Sequence, residues 1–342
     1  MAHSKQEAWR WLARPKPLPG ESLDSLFARA ASQNGVSFDE FARNTFGTGC
    51  YGQPDRPHRR KFPRIAAMMG LTESQIEMAT RYAYPYELHY DAEVDVDLAW
   101  LLPGLFHPKD RSPAVCPACI DESDQPHLKL LWRYAFVAYC PTHRTPLVDR
   151  CRHCETLLTV ELDRAGVRIP GSRCCSCGLK LAPLAGLANG PWFSYQVGLL
   201  SPDVSTRWTA MAATHMQPAL LGVRLILRLL LASGTNDEFR AFAEDELLLP
   251  PYLLARGGRT YQSFEYSPAA DRVTVLDAVA RIFEDWPRRF TTTVDLAGPY
   301  TGVYFANDPT VPLWLADAVS KYRERKRRFL KAPGGISSAD SH

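Results

Sequence analysis

A mainly α-helical protein, interrupted by one cysteine-rich module, is what this sequence predicts. Three observations carry that expectation. Apolar residues recur at helical spacing on both sides of the middle of the chain. Glycine and proline stand where those runs should stop and start. Between positions 116 and 177, cysteine and histidine stand in pairs two residues apart, a spacing that suits metal ions better than disulfides. The expected layout is an N-terminal helix-turn-helix-like domain over 1–110, a tandem metal-binding module over 111–185, a C-terminal helical domain over 190–331, and a disordered tail over 332–342.

The chain has 342 residues, of which 46% are hydrophobic. That is enough for about two or three domains with real cores. The net charge is only +3, from 40 Lys+Arg against 37 Asp+Glu, so attraction to a polyanion must be local. The N-terminal residues contain no apolar signal region. The most apolar stretch, "PALLGVRLILRLLLASG", is broken by Arg224 and Arg228 and is too short to span a bilayer. A soluble cytoplasmic protein without a membrane partner is expected. In a reducing compartment its 9 cysteines read as metal ligands before disulfides.

In "PGESLDSLFARAASQNG", Ser22 is placed to cap a helix, Leu23, Leu26, Phe27 and Ala30 share one face, and Gly35 stops it. A shorter helix follows over 38–45, then a loop rich in Gly and Pro. "FPRIAAMMGLTESQIEMATRY" has the spacing of a helix-turn-helix: Ala66 permits close packing, Gly70 makes the turn, Ile76 locks the second helix, and Thr72 with Gln75 forms a capping box. Two ordinary core helices joined by a glycine turn would read the same way. Downstream of the Gly/Pro/Ala-rich "APLAGLANGPW", helices are expected over 206–215, 219–231, 237–248, 273–286 and 312–330, with a short strand over 291–294.

The cysteine block draws two sets of four ligands. Cys116, Cys119, Cys140 and His143 form C-x2-C and C-x2-H arms; Cys151, Cys154, Cys174 and Cys177 form two C-x2-C arms. Each two-residue gap lets one tight turn present two side chains to one ion, and two turns complete the tetrahedron that zinc accepts. Cys174 or Cys175 supplies the third ligand of the second set, and the two-residue spacing favours Cys174. His127 and His153 read as surface groups or supports, and Cys50 as a free thiol. Four protein ligands leave no open position for water, so both zinc ions are expected to be structural, contributing about 10–16 kcal/mol of folding free energy each. Between the arms, Leu128, Leu131, Trp132, Ala135 and Phe136 fit a helical stripe.

Taken together, "RPKPLPGESLDSLFARAASQNG", "CPACI", "WRYAFVAYCPTHRTPLVDRCRHC" and "CCSCG" resemble the TniQ family, the target-selection proteins of Tn7-like and related bacterial transposons. The resemblance covers about residues 14–180, and "FEDWPRRF" is similar to a C-terminal segment of relatives in CRISPR-associated transposons. It implies a non-enzymatic adaptor that recruits a TnsC-like AAA+ ATPase, which licenses the transposase. Some relatives bind a DNA site directly. Others dock as homodimers on a Cascade-type CRISPR effector carrying its guide RNA, and the length of this chain fits the second kind better. The family pattern falls on the same eight residues, with Cys175 leaving the third ligand of the second site open.

Two basic runs offer local phosphate-facing surfaces: Arg56, Arg59, Arg60, Lys61 and Arg64, and later Arg323, Arg325, Lys326, Arg327 and Arg328. A solvated helix end explains the second run equally well. Glu73 and Glu77 on the second helix of the helix-turn-helix argue against base reading, because carboxylates in a major groove face phosphates. That points instead to a protein-docking or dimer surface. The alternative is a stand-alone zinc-dependent, sequence-specific DNA binder, either a TnsD-like selector or a transcription regulator. A zinc hydrolase is disfavoured, since neither H-E-x-x-H nor G-x-x-x-x-G-K-[ST] occurs.

Overall fold

The computed structural model describes residues 10–46, 57, 59–83, 114–158, 161–163, 166–168, 173–174, 176–181, 190–200, 216–232, 237–255, 264–265, 267–298, 305 and 311–322. The chain divides into two compact units, 1–189 with 264–273, and 190–263 with 274–342. Among the described residues the protein is mainly helical. No helix there is long and apolar enough to cross a membrane.

The first unit opens with α1 (Leu23–Gln33). Its N-cap is Ser22, whose hydroxyl accepts from the Ser25 amide. Leu23, Leu26, Phe27 and Ala30 are fully buried, and Gly35 takes a left-handed φ of 66° beyond the helix end. An extended N-terminal arm crosses α1. The Asn34 side chain holds it by accepting from Ala13 N at 3.0 Å and donating to Ala13 O at 2.8 Å. Trp11 thereby stacks on Phe41 of α2 (Phe38–Phe46), 4.3 Å between centroids, and donates to Thr45 Oγ1. Next come α3 (Phe62–Met69) and α4 (Glu73–Met78). Gly70 ends α3 at φ 65°, and Thr72 with Gln75 forms the capping box that starts α4, with Ile76 fully buried.

This unit also holds the cysteine block and, from far along the chain, the described residues between 264 and 273. The block contains the short helix α5 (Pro117–Asp121) and an antiparallel hairpin of β1 (Glu161–Asp163) and β2 (Gly166–Arg168), with Glu161 opposite Arg168. The sequence reading misses this hairpin, whose signal is the alternation of Val160, Leu162, Val167 and Ile169. The helical stripe expected over 128–136 is corrected. Only a 3-10 turn forms, over Leu130–Arg133, and Leu131 is half-buried. The segment is drawn into extended pairing with the start of α1: Ser22 N donates to Leu128 O and Leu130 N to Gly20 O. Burial on nearly every side from Trp132 to Cys140 therefore reflects a passage of turns and single bridges through the core, not one helical face.

The second unit contains α6 (Trp192–Leu200), α7 (Met216–Ala232), α8 (Asp237–Asp245), α9 (Pro251–Ala255), most of α10 (Ala269–Glu284), α11 (Arg288–Ala297) and α12 (Leu313–Ala318). In α7, Ala219, Val223, Ile226, Leu227 and Leu230 form the buried stripe, while Arg228 is exposed. Rings link α6 to the later helices through Tyr195, Phe283, Trp286 and Trp314, and Trp286 stacks on Phe290 at 5.1 Å. The strand expected over 291–294 is corrected to helix: Thr291, Thr292 and Thr293 donate their hydroxyls to the carbonyls of Arg288 and Arg289, and Phe290, Thr293 and Val294 are buried on one face. The helix expected over 312–330 is interrupted within its described part, and residues 323–330 lie outside the described residues. Helix α12 ends at Ala318, and a 3-10 turn over Ser320–Tyr322 brings Tyr322 to 1% exposure. The helix expected over 206–215 lies outside the described residues.

Candidate metal centres

Three of the four paired arms are built on one local device. At Cys140, Cys151 and Cys174 the cysteine amide donates to the carbonyl five residues on (Thr145, Thr156, Leu179). The cysteine carbonyl accepts from the amide four residues on (Arg144, Glu155, Gly178). That fourth residue is left-handed each time, at φ 58°, 56° and 72°. Single bridges close each loop, Tyr139 with Pro146, Arg150 with Leu157 and Arg173 with Lys180. The first cysteine sulfur of each loop accepts a backbone amide at 3.4 Å, from His143, His153 and Ser176. The fourth arm differs: Cys116 stands at the N-cap of α5 and Cys119 within it, steadied by the reciprocal bridge of Val115 with Val148.

These arms bring the donor atoms into two groups, each with all atoms within 4.8 Å of one another: Cys116, Cys119, Cys140 and His143, and Cys151, Cys154, Cys174 and Cys177. In the first, Cys119 Sγ lies 3.6 Å from Cys140 Sγ and 3.2 Å from His143 Nδ1. In the second, Cys151 lies 3.7 Å from Cys177 and Cys154 lies 3.6 Å from Cys174. A disulfide is about 2.05 Å long. A tetrahedron with bonds of about 2.3 Å has sulfur–sulfur edges of about 3.8 Å. The described cysteines are all free thiols, and both groups could hold a metal ion. Cys174 is the member placed in the second group; Cys175 and Cys50 lie outside the described residues.

The thiols bear the electrostatic strain of this crowding. Contacts from Cys116 and Cys140, then burial, push the Cys119 thiol far up, while Cys116 and Cys119 pull Cys140 far down. In the second group the Thr156 hydroxyl and amide lower Cys154 to about 6. Against the Leu179 amide, burial and the neighbouring sulfurs push Cys177 up to about 12. Sulfurs this close cannot all be anionic without a cation among them.

Residues outside the ligand pattern complete the first centre. His143 turns Nδ1 to the sulfurs and places Nε2 3.0 Å from both Glu122 carboxylate oxygens. Such a carboxylate fixes which ring nitrogen is free to bind a metal. Lys129 Nζ donates to Cys119 Sγ at 3.4 Å. The spacing pattern signalled neither, although Glu122 lies one turn beyond Cys119. The centre is also tied to α1: Glu21 accepts from Arg29 in a bidentate pair and from Ser25 Oγ, and Ser25 Oγ accepts from Leu128 N. Between the centres, Asp149 Oδ2 accepts from Ala269 N at 2.8 Å and so caps α10 from far along the chain.

The described cations of the first basic run have internal partners. Lys61 donates to Phe46 O, and Arg64 to Thr45 O and Asn44 O, satisfying the end of α2. Arg59 pairs with Glu77 and lies over the Tyr82 ring. Arg60 is exposed. Arg56, Arg323, Arg325, Lys326, Arg327 and Arg328 lie outside the described residues.

Residues 12–147 match the family model of TniQ. The chain carries a TniQ domain. That domain contains α1 with its Glu21–Arg29 pair and the whole first cluster, while the second cluster follows it. It supports a general role in target selection for Tn7-like transposition, alongside the transposition machinery. No curated protein matches the chain.

Proposed function

We propose that this chain is a non-enzymatic adaptor that links an RNA-guided Cascade-type effector to a TnsC-like AAA+ ATPase and, through it, to the transposase. The TniQ match over residues 12–147 is the observation that carries the reading. Cys116, Cys119, Cys140 and His143 hold one structural zinc ion, and Cys151, Cys154, Cys174 and Cys177 a second. The sulfur spacings of 3.6 and 3.7 Å fit that ion, and four protein donors per cluster leave no place for a reactive water. The zinc module over 111–185 stands in the sequence between an N-terminal helical domain over 1–110 and a C-terminal helical domain over 190–331. The α3–α4 pair serves as a docking or dimer surface. Its second helix is short, Glu77 is engaged by Arg59, and Lys61 and Arg64 are used on α2. Target DNA is therefore reached through the partners, and the chain acts as a homodimer.

Co-purification with the ATPase and with effector subunits, in the presence of ATP and target DNA, tests this. Retention of both supports the adaptor. Retention of neither, with a sharp consensus from a gel-shift selection on the lone protein, would replace it with a stand-alone DNA reader.

A further inference from the structure

The two clusters are built alike but are not protected alike. In the first, Cys116 and Cys140 are buried, Cys119 is half-buried, and the Lys129 ammonium lies on Cys119 Sγ at 3.4 Å. That ammonium also lies 5.7 Å from the Trp132 ring centroid, so it is held against the core. The fourth donor, His143, is a nitrogen that does not oxidise as a thiolate does, and Glu122 orients it. In the second cluster, Cys154 and Cys177 are exposed. The side chain beside Cys154 Sγ is the neutral Thr156 hydroxyl, at 3.3 Å. A divalent ion on four thiolates leaves two negative charges on the cluster, against one for three thiolates and an imidazole. The second cluster is therefore richer in electrons as well as nearer to solvent, the two conditions for attack by an electrophile.

We infer that the second cluster is a reversible thiol-modification site for peroxides, at which Cys154 reacts and Cys174 resolves, releasing the metal while the TniQ domain keeps its own. This rests on the two-metal reading proposed above. Cys154 Sγ attacks one oxygen of hydrogen peroxide: a sulfur–oxygen bond forms, the oxygen–oxygen bond breaks and hydroxide leaves. Cys174 Sγ, 3.6 Å away, then attacks the Cys154 sulfur: the disulfide forms, the sulfur–oxygen bond breaks and a second hydroxide leaves. Two thiolates lose two electrons and the peroxide gains them. The metal ion keeps its charge and, left with two thiolates, dissociates. Because Cys154 and Cys174 come from different loops, the disulfide still joins the arms that the metal had joined, and a thiol reductant restores the site.

The full chain, loaded with zinc and assayed by elemental analysis, is treated with hydrogen peroxide. Freed zinc is followed with a chromogenic indicator, and the thiols by alkylation and mass spectrometry. One equivalent should leave about tenfold faster than the other, with Cys154 joined to Cys174 and Cys116, Cys119 and Cys140 still alkylatable. Dithiothreitol with zinc should restore that equivalent. Lys129→Met should speed the slow phase and leave the fast one unchanged. Simultaneous loss of both equivalents, a fast phase that maps to Cys116, Cys119 or Cys140, or thiols inert in both clusters would overturn the inference. A starting content below two equivalents would instead refute the two-metal reading beneath it.

Discussion

Glu122 sets the ring orientation of His143 in the first centre. It holds His143 by Nε2, so that Nδ1 faces the sulfurs. Glu122→Gln should weaken zinc binding at this cluster by about 10–100-fold, read by competition with a chelator of known affinity, and leave the second cluster unchanged. Gly222 is equally constrained for a steric reason. A Cβ there would lie 2.0 Å from Trp314 Cζ2, inside the core of the second unit. Gly222→Ala should cost about 1–3 kcal/mol in denaturant unfolding, because Trp314 is packed among Phe283 and Trp286 and has little room to yield.

At the scale of elements, caps decide where helices begin. Thr72→Ala removes one half of the α4 capping box and should cost about 1 kcal/mol. The cap of α10 is remote. Asp149 accepts from Ala269 N, and its charge also faces the buried Arg272, which burial pushes downward and Asp149, Glu265 and Asp271 push back up. Asp149→Ala should destabilise the protein by about 2 kcal/mol, while Asp149→Asn, which keeps an oxygen acceptor, should recover part of it; thermal unfolding reads both. This explains why α10 starts at Ala269, where the sequence led one to expect Val273. A contact from position 149 cannot be read from a window around 269. The α1 and α4 caps were legible because Ser22, Thr72 and Gln75 lie within their own first turns. The misread stretch 291–294 shows the converse: β-branched threonines suggest a strand, but their hydroxyls bond to the preceding turn once one face is buried.

For the whole molecule, the cysteine block has few regular elements of its own, and the pairing that connects α1 to residues 128–130 runs directly into the first cluster. Removing metal with a strong chelator should therefore lower the thermal midpoint of the first unit's transition and expose two of its tryptophans, the buried Trp11 and Trp132, to quenchers. Acid should do the same. A metal ligand must be deprotonated, and although burial opposes it, Cys140 and Glu122 raise His143 above its ordinary imidazole value, so its proton competes with the ion. Retained zinc should fall as pH falls, which a titration followed by elemental analysis checks.

Taken alone, the sequence determined what rests on short-range spacing: the helical character, the turn at Gly70, and the paired arms of both clusters. Each of these depends on residues within a few positions of one another, where backbone geometry leaves little choice. The tertiary structure alone decided which distant groups meet. It set Glu122 on His143, Lys129 on Cys119, Asp149 on the start of α10, and Lys61 and Arg64 on the end of α2. Such contacts join segments that neither propensity nor periodicity relates, and they form only because packing the apolar faces brings those segments together.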